Sequence, residues 1–345
     1  MNAPAAHRWR RWFPWLGAVI GVAALAWLLR RFDVDRFLAI LAGADIRYVA
    51  LVPVAIAAEQ LVRGWKWRQI LYPLRPVATL PLFGAIMAGY LLGLLIPFGF
   101  AALARSWLVS RREGVPMSAV LATVALDRLT DGVIFALLVP VALLLVAFPD
   151  PTGGIRAGLV SGAAGSLVLF ALLLLSLLAC KRGALHPEGW LVRLIARLPT
   201  RMAEPVQRVA ASFATGVCWP REPGRSLGIV LASVAIKLIA ASHLMWAGLA
   251  MGAELLPAQY LFIMVFLGFL VILGHFARIT GSFIIGGIFA LGLFGVSEER
   301  ALAMVLLVQG ASLLSVAGIG AVALWQQGVA LSELRAGGVV DARPV

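Results

Sequence analysis

The stretch LPLFGAIMAGYLLGLLIPFGFAALARSWLVSRR, residues 80–112, decides the fold. Its one apolar run, Leu80–Ile96, has basic residues on both sides. Arg63, Lys66, Arg68 and Arg75 precede it, and Arg105, Arg111 and Arg112 follow. Basic residues beside membrane spans collect on the cytoplasmic face, so both clusters belong inside. A single crossing cannot place them there. The economical solution is a re-entrant segment that enters, turns near Pro97–Gly99 and returns to the same face. Irregular backbone at membrane depth persists only where protein or a water-filled cavity covers it, so the turn at Pro97 and Gly99 points to a cavity.

The rest of the chain agrees with a membrane reading. Of 345 residues, 62% are apolar and 13% are charged, against about 45–50% and about 25% in soluble domains. The mean hydropathy is +0.97. A helical span takes about 20 apolar residues, which gives an all-α, polytopic helical membrane protein with about seven to nine apolar segments. The runs are Pro14–Leu29, Tyr48–Gly64, Leu80–Ile96, Met117–Phe148, Ala157–Cys180, Leu227–Gly248, Ala258–His275, Gly281–Val296 and Ala301–Gln326. One or two of them are expected to be re-entrant helices. This composition excludes a soluble enzyme, a nucleic-acid-binding domain and a disordered chain.

The net charge of +13 is not gathered on one basic domain. It lies in the short gaps between apolar runs, where it sets topology and meets anionic lipid. The loop 181–225 carries eight Lys and Arg residues and is placed in the cytoplasm. The basic N-terminus, residues 1–13, is placed there too, and Pro14–Leu29 reads as an uncleaved signal anchor. The whole chain, 1–345, is taken as one integral membrane domain in the cell (plasma or inner) membrane, with a polar tail at 328–345. Within the cytoplasmic loop, Trp190, Leu191, Leu194, Ile195 and Leu198 recur at helical spacing with Arg193, Arg197 and Arg201 between them. From Glu188 to Val217 this predicts either an amphipathic helix on the inner leaflet or a solvated linker with an apolar side. Cys180 and Cys218 are far apart in sequence and lack metal-ligand spacing. Neither a metal nor a cofactor is predicted.

An internal repeat is also legible. GVPMSAVLATVALDR, residues 114–128, aligns with GVSEERALAMVLLVQ, residues 295–309, at an offset of 181, with six of fifteen positions identical. Each segment follows an interrupted, Gly-bearing apolar run, IPFGF and ITGSFIIGG. Related halves with broken helices at corresponding places are a pointer to a transporter-type site. If Gly281–Val296 crosses fully the copies are inverted; if it is re-entrant they are parallel.

Charges inside apolar runs are costly, on the order of 2.5–3.5 kcal/mol even on insertion scales, so each one needs a reason. Glu59 and Arg63 lie four apart on one helix face and can pair. Asp127, Arg128 and Asp131 share one side of the next long helix, about 17 Å along its axis from Met117. That acid–base–acid cluster either stabilises itself or leaves Arg128 free to grip an anionic headgroup, for which a guanidinium fork is suited. Lys237 has no carboxylate one helical turn away, so its partner comes from another helix or a ligand. His243 falls on the opposite face from Lys237. His275 and Arg278 close the seventh run. No nucleotide loop, hydrolase elbow or zinc-protease motif occurs.

The stretch LLIPFGFAALARSWLVSRREGVPMSAVLATVALDRLTDGV, residues 94–133, resembles the flippase-like membrane family that shares the transmembrane half of lysylphosphatidylglycerol synthase. Pro97, Arg105, Arg111, Arg112, Gly114, Val115, Asp127 and Arg128 match the family's pattern. The later GVSEERALAMVLL is similar to its second Gly-Val segment. Three departures stand out: Ala101 and Ala102 replace a Gly-Glu, HFARITGSFII replaces a Pro-rich turn while keeping Gly281, and Gln309 stands where an Arg is common. The resemblance implies the lipid-handling half of the synthase without its soluble aminoacyl-transfer domain. The expectation is therefore not an enzyme but a lipid translocator, moving a polar or anionic-headgroup lipid through a cavity between re-entrant helices. Substrate-binding residues would be Arg105, Asp127, Arg128, Asp131, Lys237 and Arg278, with turns at Pro97, Gly99 and Gly281. Asp127 and Asp131 would orient Arg128. The partners expected are membrane lipids and a lipid-biosynthetic enzyme, with no nucleic acid. The alternative is a non-transporting scaffold for a lipid or envelope-glycan biosynthetic enzyme.

Overall fold

A computed structural model of the chain describes residues 33–95, 100–186, 189–197, 199–276 and 281–328. Among them are twelve helices and no strands: α1 (Val34–Ala42), α2 (Ile46–Leu71), α3 (Thr79–Leu95), α4 (Phe100–Glu113), α5 (Met117–Leu145), α6 (Gly154–Leu185), α7 (Trp190–Ile195), α8 (Thr200–Gly216), α9 (Pro223–Ala250), α10 (Pro257–Phe276), α11 (Ser282–Gly292) and α12 (Glu298–Gln326). The protein is an all-helical, polytopic membrane protein. The basic N-terminus, the first apolar run, Pro97, Gly99, Arg278 and all of the polar tail beyond Gly328 lie outside the described residues.

Among the described residues, four helices are long and apolar enough to cross a bilayer: α5, α6, α9 and α12. The pair α1 and α2, bent by 85°, makes a fifth candidate. Asp33 starts α1, its carboxylate accepting the Arg36 amide at 3.0 Å. That satisfies one of the free donors of the first turn. The span count is of the described residues: Pro14–Leu29 lies outside them, and the runs at Leu80–Ile96, Ala258–His275 and Gly281–Val296 form shorter helices that pack in pairs.

The first pair is α3 with α4. Gly93 faces Ala101 so closely that a Cβ on the glycine would lie 2.8 Å from the alanine Cβ. One turn deeper, a Cβ on Gly89 would lie 2.9 Å from Ala101 O and 3.0 Å from Arg105 Cβ. Contacts that move up one helix as they move down the other define an antiparallel fold-back. Glycine permits it because backbones can approach closely where no side chain intervenes. A helix of 17 residues followed by one of 14 spans about 26 Å and about 21 Å, less than two crossings.

The second pair, α10 with α11, repeats the arrangement. A Cβ on Gly286 would lie 2.7 Å from Leu270. Under the offset of 181, Gly286 corresponds to Arg105 and Leu270 to Gly89, so the two fold-backs share a register as well as a shape. The correspondence extends to neighbouring helices. Met117–Leu145 maps onto Glu298–Gln326 end to end, both 29 residues, and α3 ends at Leu95 where α10 ends at Phe276. Gly114 and Gly295, each followed by Val, both adopt positive φ, 68° and 79°. That left-handed turn, open to glycine without steric cost, launches α5 in one copy and α12 in the other. Gly281, at φ 82°, is the turn residue that precedes α11.

The chain divides into two compact units. One comprises Ile56–Ala136, Ala164–Ile239 and Ser312–Val345. Its core holds Trp67, Ile70, Leu82, Ile86, Leu92, Trp107, Leu108, Val120, Val124, Ile229 and Leu324. Small residues tighten it: a Cβ on Gly64 would lie 3.1 Å from the Phe83 amide nitrogen, and one on Gly320 would lie 2.8 Å from Met87 O. The other comprises Met1–Ala55, Leu137–Ala163 and Ala240–Ala311. There Phe262 packs between Phe148 at 4.5 Å and Phe294 edge-on at 5.6 Å, and the Asp45 amide donates to Ala250 O at 3.0 Å.

In the loop 181–225 the predicted amphipathic segment forms two helices, α7 and α8, with Pro199 at the start of the second. Pro lacks an amide donor and fixes φ, so it suits a helix start; α8 also holds Pro205 in its interior. Met202, Val206 and Val209 are exposed along α8.

Candidate functional site

The costly charges gather within the unit that contains α3, α4 and the first part of α5. From α2 come Glu59, Arg63, Lys66 and Trp67, whose spacing of four, three and one residues keeps them on one face. From α5 come Thr123, Asp127 and Asp131, four residues apart. The two faces meet in an ion-pair network.

Lys66 is fully buried, and its Nζ lies 3.0 Å from Asp127 Oδ1 and 2.6 Å from Asp131 Oδ1. It also donates to Asp127 O at 3.0 Å. Arg63 Nη1 pairs with Asp131 Oδ2, and its Nη2 pairs with Glu59 Oε1 at 3.0 Å. Beside them the Trp67 indole donates to Thr123 Oγ1 at 3.0 Å, while that hydroxyl donates to Val120 O at 2.7 Å. Asp131 thus answers two cations, Arg63 and Lys66, and Glu59 pairs with Arg63, in keeping with the need to compensate buried charge.

The fold-back adds Arg105 from α4. It is 1% exposed, with Nη2 3.4 Å from Asp127 Oδ2 and its guanidinium carbon 5.0 Å from the Trp67 ring centroid. Its Nε and Nη1 find no acceptor among the described residues, nor does Arg63 Nε. Gly89 is what lets Arg105 come so close to α3. Tyr90, the next residue along α3, accepts a hydrogen bond from Arg128 Nη2 at 3.2 Å. Arg128 itself is exposed. Arg63, Arg105 and Arg128 all act electrostatically on the Tyr90 hydroxyl. Lys237, half-buried on α9, places Nζ 5.6 Å from the Phe135 ring centroid, in cation–π range. It shares the electrostatic neighbourhood of Asp131 and Glu59.

The structure therefore brings together Arg105, Asp127, Arg128, Asp131 and Lys237. Gly281 lies in the other unit. Asp127 and Asp131 pair with Lys66, Arg63 and Arg105 rather than with Arg128, whose hydrogen bond goes to Tyr90. Helical geometry explains the difference: Asp127 and Asp131 are one turn apart and face α2, while Arg128 is turned by about 100° from Asp127. Sequence reasoning treated Lys66 as a topology charge and passed over Tyr90. The signal for Lys66 was present in the spacing Glu59, Arg63, Lys66, which sets it on the same face as the other two. Tyr90 carried no such signal.

Chemically, the arrangement is a rigid, largely buried ionic scaffold with cationic donors at its edge. It holds no grouping of three or more His, Cys, Asp or Glu residues suited to a metal among the described residues. Comparison with known proteins adds a family. The model of the family described as "Lysylphosphatidylglycerol synthase TM region" matches residues 15–320. No curated protein and no solved structure matches the chain.

Proposed function

The chain belongs to the lysylphosphatidylglycerol synthase transmembrane-region family, and on that premise we propose that it translocates a lipid with a polar or anionic headgroup between leaflets. The carrying observation is Arg128: an exposed guanidinium hydrogen-bonded to Tyr90, beside the buried Arg105 with two N–H groups facing no acceptor. A cation kept available at that depth costs stability, and an anionic headgroup recovers it through charge-assisted hydrogen bonds. Arg105 and Arg128 meet the headgroup, Lys237 assists from α9, and Asp127 and Asp131 hold Arg105 through the Lys66 and Arg63 network. Acyl chains remain in lipid while the headgroup passes. The residues carry no catalytic role in this reading.

The fold-backs bear on topology. With the loop 181–225 inside and the N-terminus cytoplasmic, α5, α6 and α9 each cross once. Three crossings separate the α3–α4 fold-back from the α10–α11 fold-back, so the two copies of the repeat run in opposite senses.

Reconstitution in vesicles tests the function. Labelled lipids of the native membrane should exchange between leaflets faster with protein than without, and R128Q should slow that exchange. Absence of acceleration with every native lipid sinks translocation and leaves the scaffold reading.

A further inference from the structure

The charges in and beside the network do not balance. Arg63, Lys66, Arg105, Arg128 and Lys237 face Glu59, Asp127 and Asp131. Five cations against three carboxylates leave an excess of two positive charges among the described residues. The buried members, Arg63, Lys66 and Arg105 against Glu59, Asp127 and Asp131, balance three to three. The excess is the exposed Arg128 and the half-buried Lys237 at the edge of the network, where a doubly negative group can reach both through charge-assisted hydrogen bonds.

We propose that this site selects a phosphate monoester, the doubly charged group –OPO3, over a phosphodiester. This rests on reading α2–α5 as the headgroup site. The number of charges argues for it: a monoester carries about −1.5 to −2 at neutral pH, whereas a diester carries one and leaves one cation unanswered. Donor geometry argues the same way. Arg105 is buried with Nε–H and Nη1–H unmet, and Arg128 stands exposed on its Tyr90 hydrogen bond. Three terminal phosphate oxygens can accept from both arginines at once, while a diester offers two. The carboxylates cannot take this place, because Asp127 and Asp131 are already held by Lys66, Arg63 and Arg105. The same chemistry arises on a lipid ending in a phosphate and on free inorganic phosphate.

Equilibrium binding to the purified full chain in nanodiscs tests the idea with three probes: short-chain phosphatidic acid, short-chain phosphatidylglycerol and inorganic phosphate. The monoester lipid should bind at least tenfold tighter than the diester lipid. R128Q, at an exposed position, should cut that preference at least fivefold; R105Q should do the same if it folds. Inorganic phosphate binding as tightly as phosphatidic acid identifies a free-phosphate site, and binding far more weakly identifies a lipid one; either supports the proposal. Equal or tighter binding of the diester, or no binding of either phosphate monoanion or dianion source, overturns it. Leaflet exchange on the same samples separates the two readings. Exchange without monoester preference removes only this inference, whereas monoester binding without exchange of any lipid removes only translocation.

Discussion

Lys66 Nζ sits 2.6 Å from Asp131 Oδ1 and has no exposed surface. A lysine in that position is a structural tie between α2 and α5, whereas its neighbours in sequence, Arg68 and Arg75, are exposed. Removing one partner of a buried pair typically costs about 3–5 kcal/mol because the other is left uncompensated. K66M should therefore lower the thermal unfolding midpoint in detergent sharply and reduce yield. R68Q, at an exposed position, should leave both unchanged. Equal midpoints for the two variants would show that the network contributes nothing to stability.

Arg128 is expected to behave in the opposite way. It is exposed and makes one hydrogen bond, to Tyr90, so R128Q should insert and unfold like the parent. Charge-assisted hydrogen bonds contribute about 1.5–3 kcal/mol, which puts the loss of leaflet exchange at roughly 10- to 150-fold. Y90F removes only a positioning contact of about 0.5–1.5 kcal/mol and should cost a few-fold. Exchange rates and unfolding midpoints measured on the same reconstituted samples check both variants.

Much of this was legible before any coordinates. The parity conflict around Leu80–Ile96 forced a return to the same face, and α3 with α4 makes that return. The offset of 181 came from six identities and then matched helix ends across α3–α5 and α10–α12. What stayed hidden was partnership. Asp127 and Asp131 share a face, but sequence does not say which other helix supplies their cations. Once the network is known, the offset shows that the second copy lacks it: Arg63, Lys66, Asp127 and Asp131 correspond to Leu244, Ala247, Val308 and Ser312. A residue such as Tyr90 becomes visible only when the fold-back carries it to Arg128.

The fold-back itself makes a steric prediction. Because a Cβ on Gly89 would meet Ala101 O at 2.9 Å and Arg105 Cβ at 3.0 Å, G89A must push α3 from α4. Overpacking of this kind costs about 1–3 kcal/mol, and displacement of Arg105 should slow exchange as well. Gly310, inside α12, has nothing within 4 Å of its would-be Cβ. G310A should be neutral or stabilising by up to about 1 kcal/mol through helix propensity. Unfolding midpoints of the pair read the difference directly, and a tolerated G89A would argue against close packing of α3 on α4.

The opposed sense of the two copies can be tested at their matching turns. Glu113 closes α4 just before Gly114, and Val296 follows Gly295 in the corresponding turn before α12. If α5, α6 and α9 each cross once, as the proposed topology requires, these turns are expected on opposite sides of the membrane. In a background with Cys180 and Cys218 replaced by Ser, E113C should react with a membrane-impermeant maleimide only after the cells are opened. V296C should react in intact cells, subject to access through any outer envelope layer, which spheroplasting removes. Labelling of both from the same side would make the copies parallel and require α10 to cross alone. The charge pattern favours the first outcome: residues 251–258, which open toward α10, carry no Lys or Arg, whereas residues 67–78, leading into α3, carry the exposed Arg68 and Arg75. Since basic residues are retained on the cytoplasmic side, the expected labelling has residue 113 reached from inside and residue 296 from outside.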